Sequence, residues 1–310
     1  MQPAPFYADL AGAPEGEMVH WVHATDGVRV RLAHWHPPGA KGTVLLCPGR
    51  TEYIEKYGAV VGEFTQRGLA VVVNDWRGQG LSDRALPNRL LGHVAQFSDY
   101  QHDVAAMMAY LQAHALPQPV HVVAHSMAGC IILRALMHGL QAQTVTFSAP
   151  MWGIVLPPHM RAAAWAVTAA LNGTALRDSL APGAEAATMV DIGDFASNKL
   201  TGDAAQYDRM IGQMHDIPDF GLAGPTIAWL HGALREMRHL ARLPAPDIPC
   251  LTFLGTNEAI TDPRRITRRM ARWPDGRLEI LPQGRHEVMM ETSDLRGRFF
   301  AQTTAHMGMT

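Results

Sequence analysis

The stretch that most limits what this chain can fold into is Val120-His-Val-Val-Ala124-His125-Ser126-Met127-Ala128-Gly129-Cys130. A β-branched run ends at Ala124, and a helical pattern of apolar Cys130, Ile131, Leu133 and Met137 follows Met127 and stops at Gly139. Between strand and helix there is room for Ser126 alone. A residue at so sharp a corner holds its side chain exposed, and the free N–H groups of the helix start face whatever is attached to it. This is the arrangement of a nucleophile elbow, usually spelled G-x-S-x-G. Here Ala124 and Ala128 replace both glycines, the smallest departure available where two backbones must pass closely. The same residues also read as a serine N-cap opening an ordinary helix, so the rest of the chain has to decide.

The remaining pattern is an alternation of buried strands and helices. Thr43–Cys47 and Ala70–Val73 are short, continuously apolar runs of the kind buried on both faces of a parallel sheet, and helical periodicity fills the gap up to Gly68. A helix over Asp99–Ala113, capped by Ser98, precedes the Val120 strand, and Thr144–Phe147 supplies another strand. Before these, His20–Ala24 and Val28–His36 flank an Asp-Gly turn and predict a β-hairpin. His34 and His36 then share a strand face, read as solvated rather than metal-binding because no third ligand lies near. The loop Asp75-Trp-Arg-Gly-Gln-Gly-Leu-Ser82 has the glycines of a phosphate loop but no helix after it, and reads as a structural turn.

After Pro150 the alternation stops. From Met151 to about Leu243 the pattern predicts no strand, only helices around Met160–Leu171, Asp203–Met214 and Pro225–Leu240. It resumes with a strand over Cys250–Leu254, a helix over Pro263–Trp273, a strand over Arg277–Leu281 and a last helix from about Leu295. The expected architecture is therefore α/β: a mostly parallel central sheet flanked by helices, with residues 1–150 and 244–310 as the core and 151–243 as an inserted helical lid over the C-terminal strand edge. The helix after Pro263 carries Arg264, Arg265, Arg268, Arg269 and Arg272, read as a solvated face, with contact to anionic lipid as the other possibility.

Bulk properties exclude several classes. A chain of 310 residues with 47% hydrophobic and 17% charged residues is that of a compact soluble globule, and a net charge of −2 offers no footing for nucleic acid. Ala162–Leu171, the longest apolar stretch, is too short to span a bilayer, so membrane contact is expected to be peripheral at most. No basic start with an apolar run after it suggests a signal peptide. Cys47, Cys130 and Cys250 sit in apolar segments without paired spacing, as reduced core residues of a cytoplasmic protein would.

Chemistry comes from three loops predicted at one sheet edge. Glu258 and Asp262 follow the Cys250–Leu254 strand, and His286 follows the Arg277–Leu281 strand. A histidine is needed to take the Ser126 proton, and an acid to hold its tautomer, in the chain order serine, acid, histidine. Either carboxylate has the right chemistry. Asp262 stands just before Pro263, where it looks like the N-cap of the next helix. Glu258, four residues beyond Leu254, is the preferred acid.

With these residues in view, the chain resembles the bacterial lysophospholipases of the monoacylglycerol-lipase-like branch of the α/β-hydrolases. The resemblance runs through Leu46-Cys-Pro-Gly-Arg-Thr-Glu52, Asp75–Ser82, Gly92-His-Val94, Ala124–Met127, Ser148-Ala-Pro-Met151, Asn198-Lys-Leu-Thr201, Gly224-Pro-Thr226 and Arg285-His-Glu287. It implies Ser126 as nucleophile, His286 as base and an acid at Glu258, where many relatives have Asp. It also implies an oxyanion hole from the backbone N–H groups of Arg50 and Met127, and neither cofactor nor metal. The expected partner is an ester or lipid such as a lysophospholipid or monoacylglycerol. A general esterase for small or aromatic esters, and a non-catalytic ligand-binding protein on the same fold, are the alternatives. Met151, Trp152, Met160, Trp165 and Trp229 are the expected pocket lining.

Overall fold

The strands that the apolar runs predict pair into one sheet. A computed structural model describes residues 1–188 and 193–309, so residues 189–192 of the expected lid lie outside the described residues. The strands are β1 (Gln2–Pro3), β2 (Glu17–His23), β3 (Arg29–Trp35), β4 (Thr43–Cys47), β5 (Ala70–Asp75), β6 (Val120–His125), β7 (Thr144–Ser148), β8 (Cys250–Gly255) and β9 (Gly276–Leu281). Their order is β1-β2-β3-β5-β4-β6-β7-β8-β9. The first three pair antiparallel down to β3–β5, and from β5 through β9 every pairing is parallel. Every residue of β4, β5, β6, β7 and β8 is buried, as strands covered by helices on both faces must be.

The helices are α1 (Ala8–Ala11), α2 (Gly58–Thr65), α3 (Tyr100–Ala113), α4 (Met127–Met137), α5 (Pro158–Leu171), α6 (Ala204–Asp216), α7 (Ile227–Leu240), α8 (Pro263–Met270) and α9 (Ser293–His306). Two large apolar clusters lie against the sheet. One joins α3, α4 and α7 through residues such as Met107, Ile131 and Leu234, the other α2 and α9 through Phe64 and Phe299. Both are built from one side of alternating strand residues: Leu45 and Val122 enter the first, Leu46 and Val123 the second.

Two local readings are corrected. His34 is not on a solvated face: α3 covers it, the ring is 4% exposed, and its Nδ1 bonds the Tyr110 hydroxyl at 2.8 Å. Ser98 does not cap α3, because a short 3-10 turn over Phe97–Asp99 precedes that helix. There the Asp99 carboxylate accepts the Gln96 N–H at 3.0 Å.

Between β7 and β8 the described chain forms helices and only isolated bridges. This segment packs on the loops that leave the C-terminal strand edge. Phe220 stacks on Tyr53 with ring centres 4.0 Å apart, and the Trp229 indole donates to the Tyr100 hydroxyl at 3.0 Å.

Candidate active site

The elbow is built from strain and close approach. Ser126 has φ +51° and ψ −114°, a region that costs a non-glycine residue about 1–3 kcal/mol and persists only where its surroundings hold it. Here they do: the Ser126 N–H donates to Ser148 O at 3.0 Å, while its carbonyl accepts from Gly129 at 2.9 Å and Met151 at 2.8 Å. The tight spot lies one residue beyond the position the motif suggests. A Cβ on Gly129 would stand 2.4 Å from Pro150 Cβ, whereas Ala128 is accommodated and fully buried. Gly49, facing the elbow, is less tightly held: a Cβ there would lie 2.8 Å from Glu52 Oε2 and 3.1 Å from Ser126 Cβ.

Residues from three loops meet at this corner. Glu258 Oε2 and His286 Nδ1 are 2.7 Å apart, and His286 Nε2 and Ser126 Oγ are 2.8 Å apart. An ionised carboxylate only accepts, so Nδ1 carries the proton and Nε2 is left to accept from the serine hydroxyl. The other Glu258 oxygen accepts the N–H groups of Ile260 at 2.6 Å and Thr261 at 2.9 Å. Burial pushes the Glu258 carboxyl up, but the hydrogen bonds from His286 and these two amides outweigh it, and the net shift is downward. All three side chains are at most 9% exposed. Asp262 lies outside this relay. It accepts the Arg264 N–H at 3.1 Å as the N-cap of α8 and faces Arg161 at 3.4 Å.

Of the two residues expected to offer donors, Arg50 lines the same cavity as Ser126 and Met127 directly follows the serine. Met127 opens α4, whose first N–H groups have no intrahelical acceptor. Among the described residues, neither amide has an acceptor. Arg50 follows Gly49 in a loop held from beneath by a buried charge group that sequence reasoning missed. The Glu52 carboxylate accepts the Gly49 N–H and, at 2.6 Å, the Tyr57 hydroxyl. Lys56 Nζ bridges Glu52 at 2.7 Å and Glu287 at 2.5 Å, with side chains 4–6% exposed. Glu287 adjoins His286, so one ammonium ties the Arg50 loop to the histidine loop. Burial opposes ionisation of both carboxyls. Lys56 holds Glu52 below the usual range, while Glu287, facing Glu52 as well, stays raised. The only trace in the sequence is the i,i+4 spacing of Glu52 and Lys56. Glu52, His125 and Glu287 also place their ligand atoms within 4.8 Å of one another, but Lys56 supplies the positive charge there. The His125 ring lies tilted against His286, with ring centres 4.7 Å apart. Burial lowers its pKa to about 4, which keeps it neutral beside the relay.

A cavity of about 250 Å³ opens over Ser126, lined by Met151, Ile154, Leu200, Met210, Met214 and Trp229 as its apolar wall. Met151 and Trp229 are where the sequence placed them. Trp152, Met160 and Trp165 are not. Trp152 turns behind α4 and donates to Gly129 O at 3.1 Å. Met160 is exposed, and Trp165 packs near His231 and beneath Arg238. The wall instead takes Met210 and Met214 from α6. A larger cavity, about 620 Å³, lies away from this corner behind α4.

Residues 38–293 match the profile of the hydrolase family described as serine aminopeptidase, S33. The chain belongs to this family. Among curated proteins it is similar to lysophospholipase L2 of Escherichia coli (strain K12), 29% identical over 283 residues and covering 87% of this chain and 82% of that one. It is also similar to probable lysophospholipase L2 of Haemophilus influenzae, 27% identical over 273 residues, with 86% and 85% covered. A solved monoglyceride lipase from Saccharomyces cerevisiae superposes with a TM-score of 0.73 at 19% identity, covering 99% of each chain, which shows the α/β-hydrolase fold.

Proposed function

We propose that this family member is a serine ester hydrolase that cleaves the single acyl ester of a lysophospholipid or monoacylglycerol through an acyl-enzyme on Ser126. The observation that carries the reading is the hydrogen-bonded run from Ser126 through His286 to Glu258 at the floor of an apolar cavity. His286 Nε2 takes the hydroxyl proton as Oγ attacks the ester carbonyl, and Glu258 stabilises the imidazolium. The oxyanion is received by the Arg50 and Met127 N–H groups, where losing one donor typically costs about 3–4 kcal/mol. His286 then protonates the departing glycerol oxygen. A water enters, loses its proton to His286, and attacks the acyl-enzyme; the fatty acid is released as His286 returns the proton to Ser126 Oγ.

Ester rather than peptide chemistry is favoured by the lining charges. An aminopeptidase holds its substrate's free ammonium with a carboxylate. Among the described residues lining this cavity, the carboxylates are Glu52 and Glu287, and both are committed to Lys56. The names of the lysophospholipase relatives point the same way. In this reading the helical segment 151–243 is a lid that supplies most of the acyl wall. Membrane contact in this reading is at most peripheral; among the described residues no helix is long and apolar enough to cross a bilayer. Three free, buried cysteines suit a reducing compartment, and we place the enzyme in the cytoplasm. The test is fluorophosphonate labelling of Ser126, followed by parallel assays of lysophospholipids, monoacylglycerols and p-nitrophenyl esters. Absence of labelling would favour a ligand-binding protein, and a flat response from acetyl to medium-chain esters would favour a small-ester esterase.

A further inference from the structure

The cavity of about 620 Å³ behind α4 takes no part in this chemistry. It lies between α7, the 241–245 connection, α8 and the outer side of α4. Leu133, Trp152, Met237 and Leu240 contribute apolar surface, and six arginines line it: Arg238, Arg242, Arg265, Arg268, Arg269 and Arg272. Among the described residues, none that lines it is acidic. The sequence placed the α8 arginines on a solvated face. Arg268 and Arg272 are exposed, but they share one concavity with the half-buried Arg265 and Arg269.

Few of these charges are answered. Arg265 has Asp262 at 3.8 Å, and that carboxylate also serves Arg161 and the α8 N-terminus. Arg269 donates to the Leu240 carbonyl and lies 5.7 Å over the Trp152 ring. Arg238 lies 5.5 Å over Trp165. Among the described residues, Arg242, Arg268 and Arg272 have no acidic partner. The carboxylate of Glu236, on α7, is taken by Arg134 at 2.7 Å. Burial, and then the charge of neighbouring arginines, draws Arg265 and Arg269 below the usual guanidinium range. Like charges gathered over apolar surface repel, and an anion between them removes that repulsion. Planar guanidinium forks match phosphate and carboxylate oxygens two at a time. The volume falls within the range of small-ligand sites, about 300–1,000 Å³.

We propose that this cavity binds an anionic amphiphile, with a phosphate or carboxylate head among the arginines and an alkyl chain along Leu133, Trp152 and Met237. The proposal is independent of the reading of Ser126. It is tested by calorimetric titration of the full chain with decyl phosphate below its micellar concentration, after the Ser126 cavity has been blocked with a fluorophosphonate. If labelling fails, the Ser126 reading falls, and the titration is done on unlabelled protein. One equivalent is expected to bind, and Arg268→Glu/Arg272→Glu, both exposed positions, is expected to weaken it about tenfold or more through loss of charge-assisted contacts. Shortening the ligand to butyl phosphate, read by the same titration, tests the alkyl half: affinity is expected to fall about tenfold or more, and unchanged affinity would overturn it. Inorganic phosphate alone is expected to bind far more weakly, and decanol not at all. Equal affinity for decyl phosphate in native and variant enzyme would overturn the proposal. So would phosphate binding as tightly as decyl phosphate, or association only with vesicles containing anionic phospholipid.

Discussion

Lys56→Met isolates the charge group beneath the relay. The substitution keeps roughly the side-chain length and removes the cation that Glu52 and Glu287 share. Two charge-assisted hydrogen bonds disappear, at 2.7 and 2.5 Å, and two carboxylates 4–6% exposed are left facing each other. Removing one partner of a buried ion pair typically costs about 3–5 kcal/mol. At roughly 2 °C per kcal/mol for a chain this long, the unfolding midpoint should drop by about 6–10 °C. The loss should also depend on pH. Burial already raises Glu287 against the pull of Lys56, and without the lysine it rises further. A carboxyl whose folded pKa is raised holds its proton more tightly when folded, so stability falls as pH climbs from the ordinary carboxylate range through the folded value. The gap between native and variant enzyme is therefore expected to be small near pH 5 and large near pH 8. Thermal unfolding by circular dichroism at both pH values measures it. Ester turnover at pH 8 should fall as well, because Glu52, which holds the Gly49 N–H just before Arg50, loses the lysine that fixes it. Adding Glu287→Gln should recover part of the stability by removing one buried charge. A loss under about 1 kcal/mol, equal at both pH values, would refute this reasoning, since that is how a solvated pair behaves.

Other variants divide the roles at the corner. Glu258→Gln should lower kcat by orders of magnitude by favouring the wrong imidazole tautomer, while Asp262→Asn keeps a helix cap and should leave kcat nearly unchanged; the reverse ranking in steady-state assays would reassign the acid. Gly129→Ala should destabilise the elbow by several kcal/mol, because its Cβ would fall 2.4 Å from Pro150 Cβ, whereas Ala128→Gly should cost about 1 kcal/mol or less as an alanine-to-glycine change in a helix. Denaturant unfolding compares them. Lengthening the acyl chain should raise kcat/KM by about 0.8 kcal/mol per buried methylene until the Met210–Met214 wall is reached, and Met214→Ala should move that cutoff to longer chains.

Strands buried on both faces were the most legible part of the chain. Thr43–Cys47 reads as one uninterrupted apolar run because nothing along it meets water, and its observed ends are the same. The meeting of Ser126, Glu258 and His286 was legible too, since loops leaving one edge of a parallel sheet must share space. What escaped depends on which surface covers which. His34 sits in an alternating strand that composition alone cannot distinguish from a solvated one, and only α3 arriving with Tyr110 buries it. Trp152 and Trp165 have the apolar bulk of pocket residues, but the turn after Pro150 carries Trp152 to the far side of α4. Glu287 and Lys56 are separated by 231 residues, and no local pattern links them.

The three thiols have a practical consequence. Cys47, Cys130 and Cys250 are at most 1% exposed, and burial raises each well above the ordinary thiol range. Thiolate is the reactive form, so the native chain should be nearly silent to maleimides and methanethiosulfonates. A single cysteine placed at Met160, which is 48% exposed on α5, would then be the one group such reagents find. Spin labels or fluorophores attached there can follow α5 during turnover with every native cysteine left in place.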